Sequence, residues 1–220
     1  MKLVSPKTPA FVKKIFKKLT WDIDTKSKSI FLTFDDGPTP EITEWVLETL
    51  NDFNAKATFF CIGKNIKKHP KLFQSILSQG HRVGNHTNQH LNLWKSKFEA
   101  YLADIQKAEA TIRFYKNKYF SENKVKHQAL FRPPYGKINP KMAKHLLNLN
   151  YNVVMWDVLS YDWDKKTTPK QCYQYVKKHS TKGSIIVFHD SKKAEKNLKY
   201  TLPKLLNHYS RKKYQFLTIP

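Results

Sequence analysis

The chain has 220 residues, a length that suits one folded domain, and its 40% hydrophobic and 14% aromatic content excludes a disordered polypeptide. No apolar run reaches about 18 residues, so we expect no transmembrane helix. Lysine and arginine number 40 against 17 acids, and this net charge of +23 favours anionic partners, although the scatter of the lysines argues against a specific nucleic-acid groove.

Residues 1–20 form a basic amphipathic segment in front of a predicted domain at 21–220. The segment contains no acid and six lysines, which are Lys2, Lys7, Lys13, Lys14, Lys17 and Lys18. In a helix its apolar residues would form one stripe, made of Phe11, Val12, Ile15, Phe16 and Leu19. We favour packing of this stripe against one end of the fold, and the alternative is attachment to an anionic membrane surface.

The start of the sequence and the cysteines bear on the cellular compartment. No apolar core and small-residue cleavage site follow Lys2, so the sequence does not resemble a secretory signal peptide. We therefore expect a cytoplasmic monomer, peripheral at the membrane if the basic segment binds lipid. Cys61 and Cys172 are far apart in sequence, and two free, partly buried thiols are favoured over a disulfide.

From position 29 onward, strand-like and helical patterns alternate. Apolar β-rich runs predict about seven strands, at 29–33, 57–61, 81–84, 129–131, 153–156, 184–188 and 214–218. One-face apolar spacing predicts helices between them, at about 42–50, 70–79, 97–115, 142–149, 169–179 and 195–209. This alternation predicts a parallel sheet, open or closed into a barrel, with a functional site at the carboxyl ends of the strands.

The acids are placed where strand-like runs end. Five of the 17 lie there, namely Asp35, Asp36, Asp157, Asp162 and Asp190. The adjacent carboxylates of Asp35 and Asp36 must be neutralised by a cation or a base. One would ligate a metal while the other stays free as a general base. The alternative is an ordinary strand-to-helix turn with an aspartate cap, which Gly37 and Pro38 also fit.

Two histidines, His86 and His90, stand four residues apart. On a helical turn they would be roughly 6 Å apart along the axis, and on a strand about 13 Å, too far to share an ion. Because Gly84 and Asn85 end the preceding strand, we expect a helical turn that brings both imidazoles to one metal. Such a pair alone is a weak signal, since many belong to solvated helix faces.

Three further segments place polar side chains after predicted strands. Arg132, held by the following prolines, would lower the pKa of nearby carboxylates, and the alternative is a solvated turn. Two tryptophans, Trp156 and Trp163, bracket two aspartates and suit the wall of a sugar-binding pocket, or else a core tryptophan and a polar loop. His189 ends the most apolar strand and is either an acid or base, or a core histidine.

Together these segments resemble the polysaccharide deacetylases of the NodB-homology type, carbohydrate esterase family 4, over nearly the whole chain from Ser29. The motifs that match are TFDDGP at Thr33–Pro38, H[ST]xxH at His86–His90 and RxPY at Arg132–Tyr135. The LxH motif corresponds to Val187–His189, with valine in place of leucine as a conservative change. The family's DxxDW motif is only half matched, because Leu159 replaces its first aspartate. Asp157 is a candidate substitute for that carboxylate.

The resemblance implies a single-domain distorted (β/α) barrel with about seven strands and a divalent metal, with zinc favoured over cobalt or nickel. The implied metal ligands are Asp36, His86 and His90. The implied catalytic residues are Asp35 as general base, Arg132 as its orienting partner, His189 as general acid and Asp162 as the partner of His189. The implied substrate-binding residues are Pro134, Tyr135 through its backbone N–H, Trp163 and Val187.

The implied activity is metal-dependent removal of N-acetyl groups from amino sugars of a polysaccharide or glycan. The glycan would be peptidoglycan, a chitooligosaccharide or a lipid-linked sugar. An alternative within enzymes is hydrolysis of another acylated amine or a cyclic amide on the same fold. An alternative of another class is an inactive basic protein that binds membrane or glycan, and the intact aspartates and histidines of the motifs argue against it.

Overall fold

The computed structural model describes residues 5–119 and 128–220, so Lys2 of the basic segment lies outside the described residues. The helices in this part of the chain are α1 (Ala10–Ile15), α2 (Ile42–Asp52), α3 (Gly63–Lys68), α4 (Pro70–Ser78), α5 (Phe98–Tyr119), α6 (Pro140–Asn148), α7 (Pro169–His179) and α8 (Glu195–Arg211). The strands are β1 (Ser29–Asp35), β2 (Thr58–Cys61), β3 (Arg82–Asn85), β4 (Ala129–Phe131), β5 (Tyr151–Val153), β6 (Val158–Leu159), β7 (Ile185–His189) and β8 (Gln215–Phe216).

The strands form one parallel sheet in the order β5-β4-β3-β2-β1-β7-β6, and β8 pairs with the start of β1. The sheet curls into a half-barrel with helices outside it. Strand β1 is buried at all seven positions, because β2 and β7 flank it and helices cover its outer face. The predicted single-domain distorted (β/α) barrel with about seven strands is confirmed.

Side chains of β1 alternate between the outer helical layer and the interior of the barrel. Leu32 and Phe34 belong to the large outer core, whereas Phe31 belongs to the smaller interior cluster. Because side chains alternate with a period of two, Thr33 and Asp35 face the same side as Phe31. The interior therefore changes from apolar to polar along β1, and its polar end lies at the carboxyl edge of the sheet.

Residues 5–22 lie along the gap between β5 and β6, the two ends of the sheet order. Thr20 donates its N–H to the carbonyl of Val153 at 2.9 Å and accepts from the N–H of Met155 at 2.7 Å. Further along, the N–H of Leu159 donates to the carbonyl of Pro6 at 2.8 Å. The basic segment is thus hydrogen-bonded to the barrel and supplies backbone partners that neighbouring strands would otherwise supply.

Some local predictions differ from the structure. In place of the strand expected at 153–156 the chain forms β5 and β6, and between them Val154 bridges to Thr20 of the basic segment while its N–H donates to the carbonyl of Phe131. Helix α3 was not predicted, since its six residues contain one buried apolar side chain, Ile66. Cys61 and Cys172 are free and buried, as expected. No helix in the described residues is both long and apolar enough to cross a membrane.

Candidate active site

The carboxyl ends of four strands bring the predicted site residues to one edge of the sheet. Asp35 ends β1 and His189 ends β7, and the two are register partners. The pairing of β3 with β4 likewise places His86 and Arg132, the residues that follow these strands, side by side. Parallel register therefore assembles segments that are far apart in the sequence.

Asp35 and Arg132 form a buried ion pair. Nη1 of Arg132 lies 2.7 Å from Oδ1 of Asp35, and the two side chains are 0% and 5% exposed. The guanidinium also donates to Thr33 Oγ1 and to two backbone carbonyls, and its Cζ lies 4.1 Å from the centre of the Phe60 ring. Burial lowers the pKa of Arg132 from its usual value, although Asp35 opposes that shift. These contacts hold the Asp35 carboxylate in one orientation beside a buried positive charge.

Asp36, His86 and His90 present one ligand atom each to a common point, and the three atoms lie within 4.8 Å of one another. Oδ1 of Asp36 is 3.3 Å from Nε2 of His90 and 3.8 Å from Nε2 of His86. Among the described residues, no hydrogen bond satisfies this buried carboxylate oxygen. A buried oxygen without a donor, faced by two imidazole nitrogens, fits a divalent cation.

The hydrogen bonds of the two histidines leave their Nε2 atoms available. Nδ1 of His86 lies 2.7 Å from the carbonyl oxygen of Arg132, so Nδ1 carries the proton and Nε2 keeps its lone pair. Nδ1 of His90 lies 3.1 Å from the Tyr135 hydroxyl. Burial, and after it the neighbouring His86, lowers the pKa of His90 to about 4. His90 is therefore neutral at pH 7, the form that ligates metals, and its contact with Asp36 is not an ion pair.

The predicted helical turn at the histidines was wrong. The chain is irregular here, with φ of 63° at Thr87 and 58° at His90. Asp104 of α5 holds the loop by accepting the backbone N–H groups of residues 88 and 89, each at 2.9 Å. Because a side chain takes the place of helical partners, the two imidazoles meet without a helix.

His189 and Asp162 form a second polar pair on the β7 side. Nδ1 of His189 lies 2.8 Å from Oδ1 of Asp162, and the backbone N–H of His189 donates to Oδ2 at 2.7 Å. Burial alone would lower the pKa of His189, but Asp162 and, to a smaller extent, Asp36 and Asp35 raise it to about 9. The ring of Trp163 packs against the imidazole, with centres 4.6 Å apart. His189 is therefore protonated at neutral pH and able to donate a proton.

Asp190 fixes the turn that follows the two adjacent aspartates. It is fully buried and accepts hydrogen bonds from the Gly37 N–H at 3.0 Å and from Thr43 Oγ1 at 2.5 Å. Burial raises the pKa of Asp190 to about 8. A Cβ atom at Gly37 would lie 1.9 Å from Oδ2 of Asp190, so only glycine fits at this position.

Comparisons with known proteins agree with this geometry. The polysaccharide deacetylase family model matches residues 22–154. A peptidoglycan-N-acetylglucosamine deacetylase of Bacillus cereus is 34% identical over 203 residues, which are 91% of this chain and 91% of that protein. The chain belongs to the polysaccharide deacetylase family.

Two further relatives of this family show how far the likeness extends. A chitooligosaccharide deacetylase of Azorhizobium caulinodans is 32% identical over 76% of each chain. The crystal structure of the Bc1960 peptidoglycan N-acetylglucosamine deacetylase in complex with 4-naphthalen-1-yl-N-oxidanyl-benzamide superposes with a TM-score of 0.84 at 30% identity. That superposition covers 97% of this chain and 95% of the other, so the fold is shared almost from end to end.

The departure from the family's DxxDW motif is not compensated by Asp157. That carboxylate lies 2.6 Å from Nζ of Lys7 and 2.5 Å from Nζ of Lys13, and Ser184 also donates to it. Asp157 therefore anchors the basic segment, and the idea that it replaces the missing carboxylate beside His189 was wrong. Within the described residues, Asp162 alone forms a hydrogen-bonded pair with the His189 ring.

The predicted substrate-contacting residues differ in exposure. Pro134 and Val187 are buried, Trp163 is half-buried, and Tyr135 is 61% exposed with a positive φ of 60°. The ring of Tyr135 lies 4.6 Å from that of His90, at the open side of the site. These four residues remain predictions as substrate contacts.

Three residues near the site were missed as contributors by sequence reasoning. Asp104 carries a signal, because it is an acid on the mostly apolar buried face of α5. Asp190 was recognised as an acid at a strand end, but its bond to Gly37 depends on tertiary structure. Trp94 is 68% exposed four residues after His90, with Nζ of Lys137 4.4 Å from its ring centre. The only signal for Trp94 in the sequence was the position of a lone tryptophan shortly after the H[ST]xxH motif.

Proposed function

We propose that this protein uses a divalent metal to hydrolyse the N-acetyl groups of amino sugars in a glycan. One observation carries the proposal, namely the buried, donor-free Oδ1 of Asp36 facing the Nε2 atoms of His86 and His90. An ordinary capped turn would leave that oxygen bonded to a backbone N–H. The adjacent Asp35–Arg132 and His189–Asp162 pairs supply a base and an acid beside the ligands.

The ligand set suits zinc, with cobalt or nickel as substitutes. Two histidines and one carboxylate are ligands that hydrolytic zinc sites use, and they leave coordination positions for water and substrate. When bound, the ion polarises the acetyl carbonyl and lowers the pKa of the attacking water. Asp36, His86 and His90 would hold it, and the Arg132 carbonyl would keep His86 in the ligating tautomer.

Asp35 is the proposed general base. Its carboxylate takes a proton from the water as the water oxygen bonds to the acetyl carbon. Arg132 binds Oδ1 of Asp35 at 2.7 Å and so keeps the buried carboxylate oriented before this step. The backbone N–H of Tyr135 would stabilise the negative charge that develops on the acetyl oxygen.

His189 is the proposed general acid. As the bond between the acetyl carbon and the sugar nitrogen breaks, the electron pair stays on nitrogen and His189 supplies the proton. The products are acetate and a free amino sugar. Asp162 holds Nδ1 and stabilises the imidazolium, so the opposite ring nitrogen is directed to the leaving group.

The proposed substrate is a glycan that contains N-acetylglucosamine, with peptidoglycan and chitooligosaccharides as the first candidates. The names of relatives that are 34% and 32% identical support this choice. Trp94 and Tyr135 are exposed beside the loop that carries His86 and His90, and their rings also suit the apolar faces of sugar rings. Trp163 and Val187 would line the acetyl pocket.

An acetate-release screen tests the proposal. Zinc-loaded protein is assayed on chitooligosaccharides, peptidoglycan and lipid-linked sugars, together with N-acylated amines and cyclic amides, and Asp36→Ala serves as the inactive control. We expect acetate to be released from one of the glycan classes and from none of the non-sugar amides. Release only from the non-sugar amides would favour the alternative enzyme. Failure of folded, zinc-loaded protein on every substrate would favour the inactive binding protein.

A further inference from the structure

The basic segment leaves part of its predicted apolar stripe uncovered. Leu19 is 7% exposed and Val12 packs against the core, as packing on the barrel requires. Phe11, Ile15 and Phe16, however, are 65%, 66% and 42% exposed. The prediction that the whole stripe packs against the fold was therefore half wrong. Val12 and Leu19 pack against the barrel, whereas the other three side chains stay exposed.

These exposed side chains border a groove between the segment and helix α6. The groove encloses about 620 Å³, and its apolar wall includes Ile15, Phe16 and Leu147. Among the described residues that line it, the charged ones are Lys17, Lys18 and Lys144, and none is an acid. The groove therefore combines apolar side chains with positive charge.

The exposed face is held in place by the rest of the fold. Nζ of Lys13, a residue of α1, lies 2.5 Å from carboxylate oxygens of both Asp22 and Asp157. On α1, Phe11, Lys14 and Ile15 follow helical spacing that puts them on one side. Because these anchors fix the segment, a partner would not have to order it on binding.

We propose that this basic–aromatic face, formed by Phe11, Lys14, Ile15, Phe16, Lys17, Lys18 and Lys144, binds the surface of an anionic lipid bilayer. The aromatic and aliphatic side chains would enter the headgroup region while the lysines contact lipid phosphates. A soluble polyanion would need only the lysines, so the exposed apolar side chains favour the bilayer. The net charge of +23 adds long-range attraction to such a surface.

Vesicle co-sedimentation of the full chain tests this proposal. Vesicles of equal parts phosphatidylcholine and phosphatidylglycerol should sediment the protein at low salt, and pure phosphatidylcholine vesicles should not. Binding should fall steeply with added salt. We expect roughly a tenfold loss in partitioning for Ile15→Ser/Phe16→Ser, because two apolar groups leave the interface. Each of Lys14→Gln, Lys17→Gln and Lys18→Gln should cost about fivefold.

Phe114→Ser is the matched control, since Phe114 is 61% exposed on α5 and does not line the groove. It should bind vesicles like the unaltered chain, and thermal melting should confirm that every variant is folded. Absence of binding to anionic vesicles at low salt would overturn the proposal. Vesicle binding unchanged in Ile15→Ser/Phe16→Ser, with dextran sulfate binding of similar strength, would also overturn it and indicate a polyanion site.

Discussion

Replacing Asp162 with Asn removes the charge that supports protonated His189 and keeps the side-chain shape. The 2.8 Å contact with Asp162 helps to raise the pKa of His189 to about 9, against an ordinary value of 6.5. Without that carboxylate, burial would pull the pKa to about 6.5 or below. At about pH 8 the imidazolium fraction would then fall from roughly nine-tenths to roughly one-thirtieth, so we expect kcat/KM to fall roughly 30-fold.

The assay is acetate release from the best glycan substrate, with kcat/KM measured from about pH 5 to about pH 10. A group that must be protonated loses activity as pH rises through its pKa, so the basic limb of unaltered protein should lie near pH 9. It should move to about pH 6.5 or below in Asp162→Asn. Asp164→Asn removes the same charge two residues away and should keep the original profile, because among the described residues its carboxylate accepts only the Lys166 N–H. An unmoved basic limb in Asp162→Asn would refute the assignment of His189 as the acid.

The remaining predictions concern the ligands and the base. His86→Ala should lower the zinc content measured by elemental analysis from one equivalent towards zero, because two ligands rarely hold the ion against water; retention of one equivalent would remove His86 from the ligand set. Asp35→Asn should keep the zinc but lower kcat by about 100-fold or more, and loss of zinc instead would mean that Asp35 and Asp36 have exchanged roles. Arg132→Met should lower the free energy of unfolding in urea by about 3–5 kcal/mol, since it leaves the Asp35 charge buried and unpaired. Asp35→Asn/Arg132→Met should recover part of that loss without recovering activity, and no recovery would argue against the ion pair.

Features with a regular period or an intact motif were predictable from the sequence. Helix α7 was predicted with the bounds that the structure has, because its apolar side chains are spaced along one face. In the structure a Thr168 cap and a proline at the first turn start it. The parallel sheet followed from the alternation of elements, and the convergence of Asp35, Asp36 and His189 followed from their places at strand ends. Such features depend on local spacing, which a single sequence contains.

Features that depend on distant partners were not predictable. The loop of His86 and His90 is shaped by Asp104, which lies on another helix. The role of Asp157 was misjudged because its lysine partners lie in the basic segment, about 150 residues earlier in the chain. The structure gives no physical reason for leucine at position 159, which is half-buried beside the acid–base pair. The shape of the histidine loop and the role of Asp157 were each set by a tertiary contact that no local pattern specifies.

Zinc titration of chelated protein tests the central claim most directly. The protein is freed of metal by dialysis against a chelator, and acetate release from the best glycan substrate is followed as zinc is added back. We expect no activity without metal, a rise that is linear in zinc, and a plateau at one equivalent bound by Asp36, His86 and His90. Full activity in the metal-free protein would contradict this claim.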